Sequence, residues 1–309
     1  MNWPHKDLIG IADLAAGEIE TILDMTPSFK EISQRDIKKV PTLRGKTVVL
    51  LFYEASTRTR LSFEIAAKRL SADTVAISQS GSSFEKGETM LDAAKNIMAM
   101  NPDCIVIRYP FAGTVARLAK IMPCSVLNAG DGFHEHPTQA LLDMYSMREH
   151  FGTLTGLHVV MVGDIRHSRV ARSNAYGLTK MGARVTLVAP QTLLPPGVAT
   201  WGVDVSTDFD PVIPLADVIM MLRVQKERIA EHLFSGDREY ASFYGLNQQR
   251  MQRMKKHAVI MHPGPMNRGV EINHDTADSP RAIILNQVEN GVAIRMTLLY
   301  LCLGGSNVD

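Results

Sequence analysis

Two short stretches of this 309-residue chain carry side chains suited to one kind of chemistry. Ser56-Thr57-Arg58-Thr59-Arg60 gathers three hydroxyls and two guanidinium groups just after an apolar run, where a following helix would add outward-facing amide hydrogens. That set suits a phosphate dianion, because guanidinium supplies paired hydrogen bonds together with charge. His136-Pro137-Thr138-Gln139 brings an imidazole and a carboxamide to a second helix start, an arrangement suited to a polarised carbonyl. Taken together, the two stretches point to a small acyl phosphate.

The flanking sequence places the first stretch on a strand-to-helix turn. Residues 47–52 (TVVLLF) are a continuous apolar run of strand length, and residues 61–70 repeat apolar side chains at helical spacing. The glycines and closing lysine of a P-loop are missing, which argues against a nucleoside triphosphate. Helix capping by Ser or Thr accounts for one hydroxyl, not for three hydroxyls with two arginines. Arg60 is expected to pair with Glu64 one turn along the helix and to serve structure.

The elements that must position these residues alternate along the chain. Strand candidates at 47–52, 74–77, 104–107 and 125–127 are separated by helical segments beginning near Leu61, Thr89, Gly113 and Pro137. A second series of strand candidates follows at 158–162, 184–189, 218–222 and 258–261, again separated by helical stretches. This rhythm predicts the α/β class, with two doubly wound parallel-sheet domains linked by helices. The domains are assigned to residues 1–136 plus 287–309 and to residues 137–286, with residues 137–151 as the interdomain helix ending before Gly152. Residues 286–303 are apolar all round apart from Arg295, so that helix should be buried. Ile19, Ile22, Leu23 and Ile32 outline an amphipathic helix in which Pro27 predicts a kink or break. The polar loop 78–88 should stop where Thr89 and Asp92 form a capping box.

A second candidate site lies in the later half. Gly163-Asp164-Ile165-Arg166-His167-Ser168-Arg169 follows a strand, but it lacks the second and third glycines of a dinucleotide fingerprint. The same turn can present Arg169 at the mouth of a sheet, where an arginine reads as a carboxylate clamp. Arg223 and Arg228 follow residues 218–222 and share that edge, the alternative being a solvated helix start in which Glu227 pairs with either neighbour. His134 and His136 could suggest a metal, yet no third ligand at metal spacing is evident. No metal and no cofactor are expected.

Composition bounds the rest. The 33 basic and 32 acidic residues nearly cancel, so the basic footprint of a nucleic-acid binder is missing and local arginines must carry any anion binding. With 45% hydrophobic content, 309 residues can bury two cores. The start of the chain lacks the apolar core of a signal peptide, and no apolar segment is long enough to span a bilayer, which predicts a cytoplasmic protein without membrane contact. Cys104, Cys124 and Cys302 are odd in number and lack CxxC spacing, as expected of reduced, packed thiols.

Over nearly its whole length the chain resembles the aspartate and ornithine carbamoyltransferase family. The resemblance is carried by Phe52-Tyr53-Glu54-Ala55-Ser56-Thr57-Arg58-Thr59-Arg60-Leu61-Ser62-Phe63-Glu64, by His136-Pro137-Thr138-Gln139, and by Arg223-Val224-Gln225-Lys226-Glu227-Arg228. The last motif is similar to the aspartate branch. The ornithine branch would carry His-Cys-Leu-Pro where this chain has His262-Pro263-Gly264-Pro265.

The resemblance implies carbamoyl transfer from carbamoyl phosphate to aspartate, a step of pyrimidine biosynthesis. It implies that Ser56, Thr57, Arg58, Thr59 and Arg108 hold the phosphate, and that Thr59, Arg108 and His136 stabilise the carbonyl oxygen. Gln139 and the backbone carbonyls of Pro263 and Gly264 are implied acceptors for the carbamoyl amide. Arg169, Arg223, Gln225 and Lys86 are the implied aspartate contacts. In this family a Ser and a Lys from the loop at 78–88 reach the neighbouring subunit's active site, which implies a homotrimer with shared sites. Lys86 fits the lysine, and Ser82 fits the serine better than Ser83.

A glutamate at the place of Glu54 is implied to bridge to Arg169 or Arg228 on domain closure, while Glu54 could equally fix Arg58 within its own turn. Separate regulatory chains, or a dihydroorotase suggested by residues 262–273, stand as candidate partners. A carbamoyltransferase for another amino acid and a catalytically silent assembly subunit are the competing readings.

Overall fold

The computed structural model describes residues 3–78, 89–225 and 236–304. The chain divides into two compact units, Met1–Leu142 with Glu289–Asp309, and Asp143–Val288. The division falls inside one helix near the middle of the chain and inside another near its end.

In the first unit the order is α1 (Ala16–Gln34), β1 (Thr47–Phe52), α2 (Thr57–Arg69), β2 (Asp73–Ser78), α3 (Met90–Met98), β3 (Cys104–Tyr109), α4 (Thr114–Ala119) and β4 (Ser125–Asp131). The helix α5 (Pro137–Phe151) begins there. The four strands are parallel in the order β2-β1-β3-β4. Helices cover both faces of such a sheet, which is why β1 and β3 are apolar without alternation. On one face Val49, Leu51, Ile105, Ile107 and Val126 pack against Ala94 and Ile97 of α3 and Val115 and Leu118 of α4.

Two helices differ from their sequence outline. The helix α1 runs through Pro27 as one helix, so of the kink or break expected there the break is absent. Its buried face, Ile19, Ile22, Leu23, Thr26, Phe29 and Ile32, continues on both sides of the proline, and tertiary packing outweighs the lost hydrogen bond. The helix α2 starts at Thr57, four residues before the apolar repeat, so most of the pentad forms its first turn.

The second unit contains β5 (His158–Val162), α6 (Arg169–Lys180), β6 (Arg184–Val188), β7 (Asp204–Ser206), β8 (Val218–Met221), α7 (Asp237–Tyr244), α8 (Gln248–Gln252), β9 (Val259–Met261) and α9 (His274–Ala277). Its five parallel strands run β7-β6-β5-β8-β9. The three-residue edge strand β7 has no sequence signature, because Asp204 and Val205 are exposed and nothing there alternates. Val160, Val162, Ile219, Met221 and Ile260 form the core with Phe209, Leu246 and Ile272.

The last helix, α10 (Ile284–Leu303), is buried along its later turns, and Ile294, Leu298 and Leu299 are inaccessible. Within the first unit Thr297 shares a hydrogen bond with Thr26 at 3.2 Å, and Arg295 Nη1 donates to Ser62 at 2.8 Å. Arg295 therefore sits over the Phe63 ring instead of interrupting the buried surface. Among the described residues no helix is long and apolar enough to cross a membrane.

Candidate active site

Each sheet reverses its winding once, and several of the predicted residues follow the strands that flank those reversals. In the first sheet the chain moves outward from β1 to β2 and then from β3 to β4, so the switch lies between β1 and β3. Loops leaving the carboxyl ends of strands diverge at such a point and leave a crevice for a ligand. The pentad follows β1, Arg108 lies near the end of β3 opposite Phe52, and His136 follows β4 at the same edge. The Tyr53 amide donates to the Arg108 carbonyl at 2.9 Å, which ties the pentad's approach to β3.

Ser56 occupies the N-cap of α2, yet its side chain makes no cap hydrogen bond. Simple capping therefore does not explain the hydroxyl. Thr57 and Arg58 are exposed in the first helical turn and Thr59 is buried. The positive end of the α2 dipole, the hydroxyls and Arg58 thus share one turn. Arg60 does not find the expected partner, because Glu64 pairs with Lys68 at 2.6 Å, and a glutamate preceding a lysine is the better helical orientation. Glu54 lies 3.4 Å from Arg108 Nε, a pairing the sequence did not suggest.

His136 stands immediately before α5, only 4% exposed, with its carbonyl accepting from the Gln139 amide at 3.0 Å. Two buried carboxylates hold that turn. The buried Asp131 carboxylate accepts from the Gly113 amide at 2.8 Å, Asn128 Nδ2 at 2.9 Å, the Glu135 amide at 3.1 Å and His134 at 3.1 Å. Burial alone would raise the Asp131 carboxyl, but the His134, Asn128 and Gly113 hydrogen bonds outweigh it and hold it low. The buried Glu135 carboxylate accepts from the Ile11 and Ala12 amides at 2.9 and 3.2 Å. Sequence reasoning weighed His134 only as a metal ligand and made no use of Asp131 or Glu135.

In the second sheet the winding reverses between β5 and β8. Gly163 follows β5 with φ of 146°, and a Cβ there would collide with the Leu222 carbonyl after β8. Arg169 is the first residue of α6 and is buried, while Arg223, one residue past Leu222, is half-buried. The loops leaving β5, β8 and β9 are laced together. The Asp164 carboxylate accepts from the His167 ring at 2.9 Å, Gln225 Nε2 donates to the His167 carbonyl at 3.1 Å, and Asn267 Nδ2 donates to the Val224 carbonyl at 3.2 Å. Burial pushes the Asp164 carboxyl up, against the charge and hydrogen bonds of His167. The Gln225 amino group thus joins two loops, an employment its expected role did not include.

Pro263 and Gly264 leave β9 at this edge, and the Gly264 amide donates to His262 Nδ1 at 2.8 Å. Ser82, Ser83, Lys86, Lys226, Glu227 and Arg228 lie outside the described residues. Among the described residues no group of three or more His, Cys, Asp or Glu side chains is arranged to hold a metal ion.

Two parallel-sheet units, each with arginines at its switch point and one with a hydroxyl-rich helix start, define a class of α/β protein that handles phosphate and carboxylate groups. Family models refine the class. The aspartate/ornithine carbamoyltransferase carbamoyl-P binding domain matches residues 6–149, and the Asp/Orn binding domain of the same family matches residues 155–302. The chain belongs to the aspartate/ornithine carbamoyltransferase family.

It is 58% identical to the aspartate carbamoyltransferase catalytic subunit of Geotalea daltonii, covering 99% of this chain and 98% of that one. To the same subunit of Desulforapulum autotrophicum it is 56% identical, covering 100% and 99%. The fold is similar to Trypanosoma cruzi aspartate transcarbamoylase in complex with carbamoyl phosphate and aspartate, with a TM-score of 0.87, 28% identity and 96% coverage of each chain. Pyrococcus furiosus ornithine carbamoyltransferase is similar with a TM-score of 0.86 and 30% identity, covering 99% of this chain and all of that one.

Proposed function

We propose that this chain transfers the carbamoyl group of carbamoyl phosphate to the amino group of L-aspartate, giving N-carbamoyl-L-aspartate and phosphate in pyrimidine biosynthesis. The observation that carries the reading is the α2 start, where Ser56 at the N-cap makes no cap hydrogen bond and Arg58 and Thr59 follow, with Arg108 at the same strand edge. An uncapped helix start ringed by hydroxyls and guanidinium groups is a phosphate cradle. The relatives named aspartate carbamoyltransferase support aspartate as the acceptor.

In this reading Ser56, Thr57, Arg58, Thr59 and Arg108 bind the phosphate. As the aspartate nitrogen forms a bond to the carbonyl carbon, the oxygen gains negative charge, and Thr59, Arg108 and His136 stabilise it. Gln139 and the carbonyls of Pro263 and Gly264 accept from the carbamoyl NH2 and orient it. The intermediate collapses by breaking the bond to the phosphate oxygen, and the departing phosphate is basic enough to take the proton that the nitrogen sheds. Arg169 and Arg223 clamp the two carboxylates of aspartate, with Gln225 and Lys86 as further donors. Ser82 and Lys86 act from a neighbouring copy in a cytoplasmic homotrimer.

The test supplies the purified chain with carbamoyl phosphate and either aspartate or ornithine. N-carbamoyl-L-aspartate should form and citrulline should not. Preferential citrulline formation would overturn the substrate assignment, and tight binding of a phosphonate bisubstrate without turnover would mark a silent homologue.

A further inference from the structure

We propose that His262 is a positioning residue for carbamoyl recognition: its ring, held as the neutral Nε2–H tautomer, fixes the Pro263-Gly264 backbone whose carbonyls read the carbamoyl NH2. The inference rests on the function proposed above and deepens it.

The tautomer follows from the bonding. The Gly264 amide can only donate, and it reaches His262 Nδ1 at 2.8 Å, so Nδ1 must offer its lone pair. The ring proton then sits on Nε2, which points at Glu271 Oε1 at 3.2 Å. Neither side chain is exposed to solvent, so water cannot replace either bond. The Glu271 carboxylate is held in turn by the Asn267 amide.

The backbone of His262 is anchored as well. Its amide donates to Gln287 Oε1 at 2.9 Å, Gln287 Nε2 donates to Asp143 Oδ1 at 2.7 Å, and Asn174 Nδ2 donates to Asp143 Oδ2 at 2.8 Å. This connected buried network ends at Gly264, whose φ of 65° places it in the left-handed region that favours glycine. Two successive peptide units are thereby oriented. Among the described residues neither the Pro263 nor the Gly264 carbonyl accepts a hydrogen bond, so both acceptors are unspent. A ring that fixed this loop for stability alone would serve equally well whether or not the ligand carried an NH2 group.

That difference makes the test. Phosphonoacetamide and acetonylphosphonate are stable phosphonates that differ by NH2 against CH3 beside the carbonyl, and their affinities for the full chain are compared by calorimetry. The wild type should prefer the amide by about tenfold, as expected for one or two hydrogen bonds. His262→Gln keeps a donor toward Glu271 but places no acceptor beside Gly264, and the preference should fall to about twofold or less while acetonylphosphonate binding changes little. His262→Asn puts its carbonyl oxygen near the Nδ1 position and should restore most of the preference. Equal preference in His262→Gln and wild type, or rescue by Gln and not by Asn, would overturn the proposal. Nitrogen-15 spectra of the wild-type ring should show Nδ1 unprotonated, and the opposite tautomer would overturn it without any variant. A wild type that turns over carbamoyl phosphate but binds both phosphonates equally refutes the positioning role, whereas one that neither turns over nor binds them refutes the function on which it rests.

Discussion

At the scale of single residues, the guanidinium in the first turn of α2 sets the first expectation. Arg58 is exposed in the first turn of α2, where it makes no contribution to the core. Arg58→Ala should therefore leave the fold intact and lower kcat by about 100-fold or more, as removing charge stabilisation from a transition state typically does. Steady-state kinetics beside a circular dichroism melt would check this, and near-normal turnover would remove Arg58 from the phosphate site. Glu54 poses a finer question. Its carboxylate is the neighbour of Arg108 Nε at 3.4 Å, so losing it should loosen a guanidinium that must be aimed in advance. Glu54→Ala should reduce kcat by about tenfold with little change in melting temperature, since a partly exposed pair contributes little to stability. A variant with unchanged kcat would show that Arg108 is aimed by something else. Arg60 teaches the limit of spacing arguments. Glu64 stands one turn from both Arg60 and Lys68, and the structure pairs it with Lys68.

At the scale of elements, continuous apolar runs identified eight of the nine strands among the described residues, most of them to within two residues, because most of these strands are buried along their length and so exclude polar side chains. The exposed β7 escaped for the opposite reason. Close approach of neighbouring strands sets one sharp expectation. A methyl group on residue 163 would meet the Leu222 carbonyl at a φ of 146°, so Gly163→Ala should cost about 2–3 kcal/mol and be read as a lower denaturant midpoint. A midpoint equal to wild type would mean that the loops after β5 and β8 yield easily.

Asp217 sets another expectation at the same scale. It accepts from the His158 amide at 2.8 Å, Lys255 at 2.7 Å and His257 at 2.9 Å, joining β5 to the approach to β9. Partial burial would raise its carboxyl, but the Lys255, His158 and His257 hydrogen bonds outweigh it and hold it at about 2. The folded pKa lies below the unfolded one, so this stabilisation is fully present above about pH 4 and is lost as pH falls toward 2. Solvent around Lys255 and His257 reduces it to about 1–2 kcal/mol. The stability gap between wild type and Asp217→Asn should accordingly close between about pH 4 and pH 2 in urea titrations. A gap that is constant over that range would locate the effect elsewhere.

At the scale of the whole molecule, the expectation concerns assembly. If Lys86 serves a neighbouring copy, chains carrying Arg58→Ala and chains carrying Lys86→Ala are each defective alone. A one-to-one mixture reassembled as closed trimers should then regain about a quarter of native sites, since each intact site needs one chain of each kind in fixed order. Recovery no greater than the sum of the two variants would exclude sharing in this form. Sizing the same mixtures should give three times the 34.1 kDa chain mass.

What the sequence determined by itself was local in origin: apolar runs that name strands, the hydroxyl and arginine pentad, the histidine ahead of a helix, and the missing glycines that disfavour a dinucleotide. These are legible because they depend on a residue and its near neighbours. Strand order, the two switch points, the Glu135 bonds to the Ile11 and Ala12 amides, and the His262–Glu271 pair were decided only by the tertiary structure. Each joins groups distant in the chain or depends on burial, and burial converts an ordinary carboxylate or imidazole into one whose partner and protonation state are fixed.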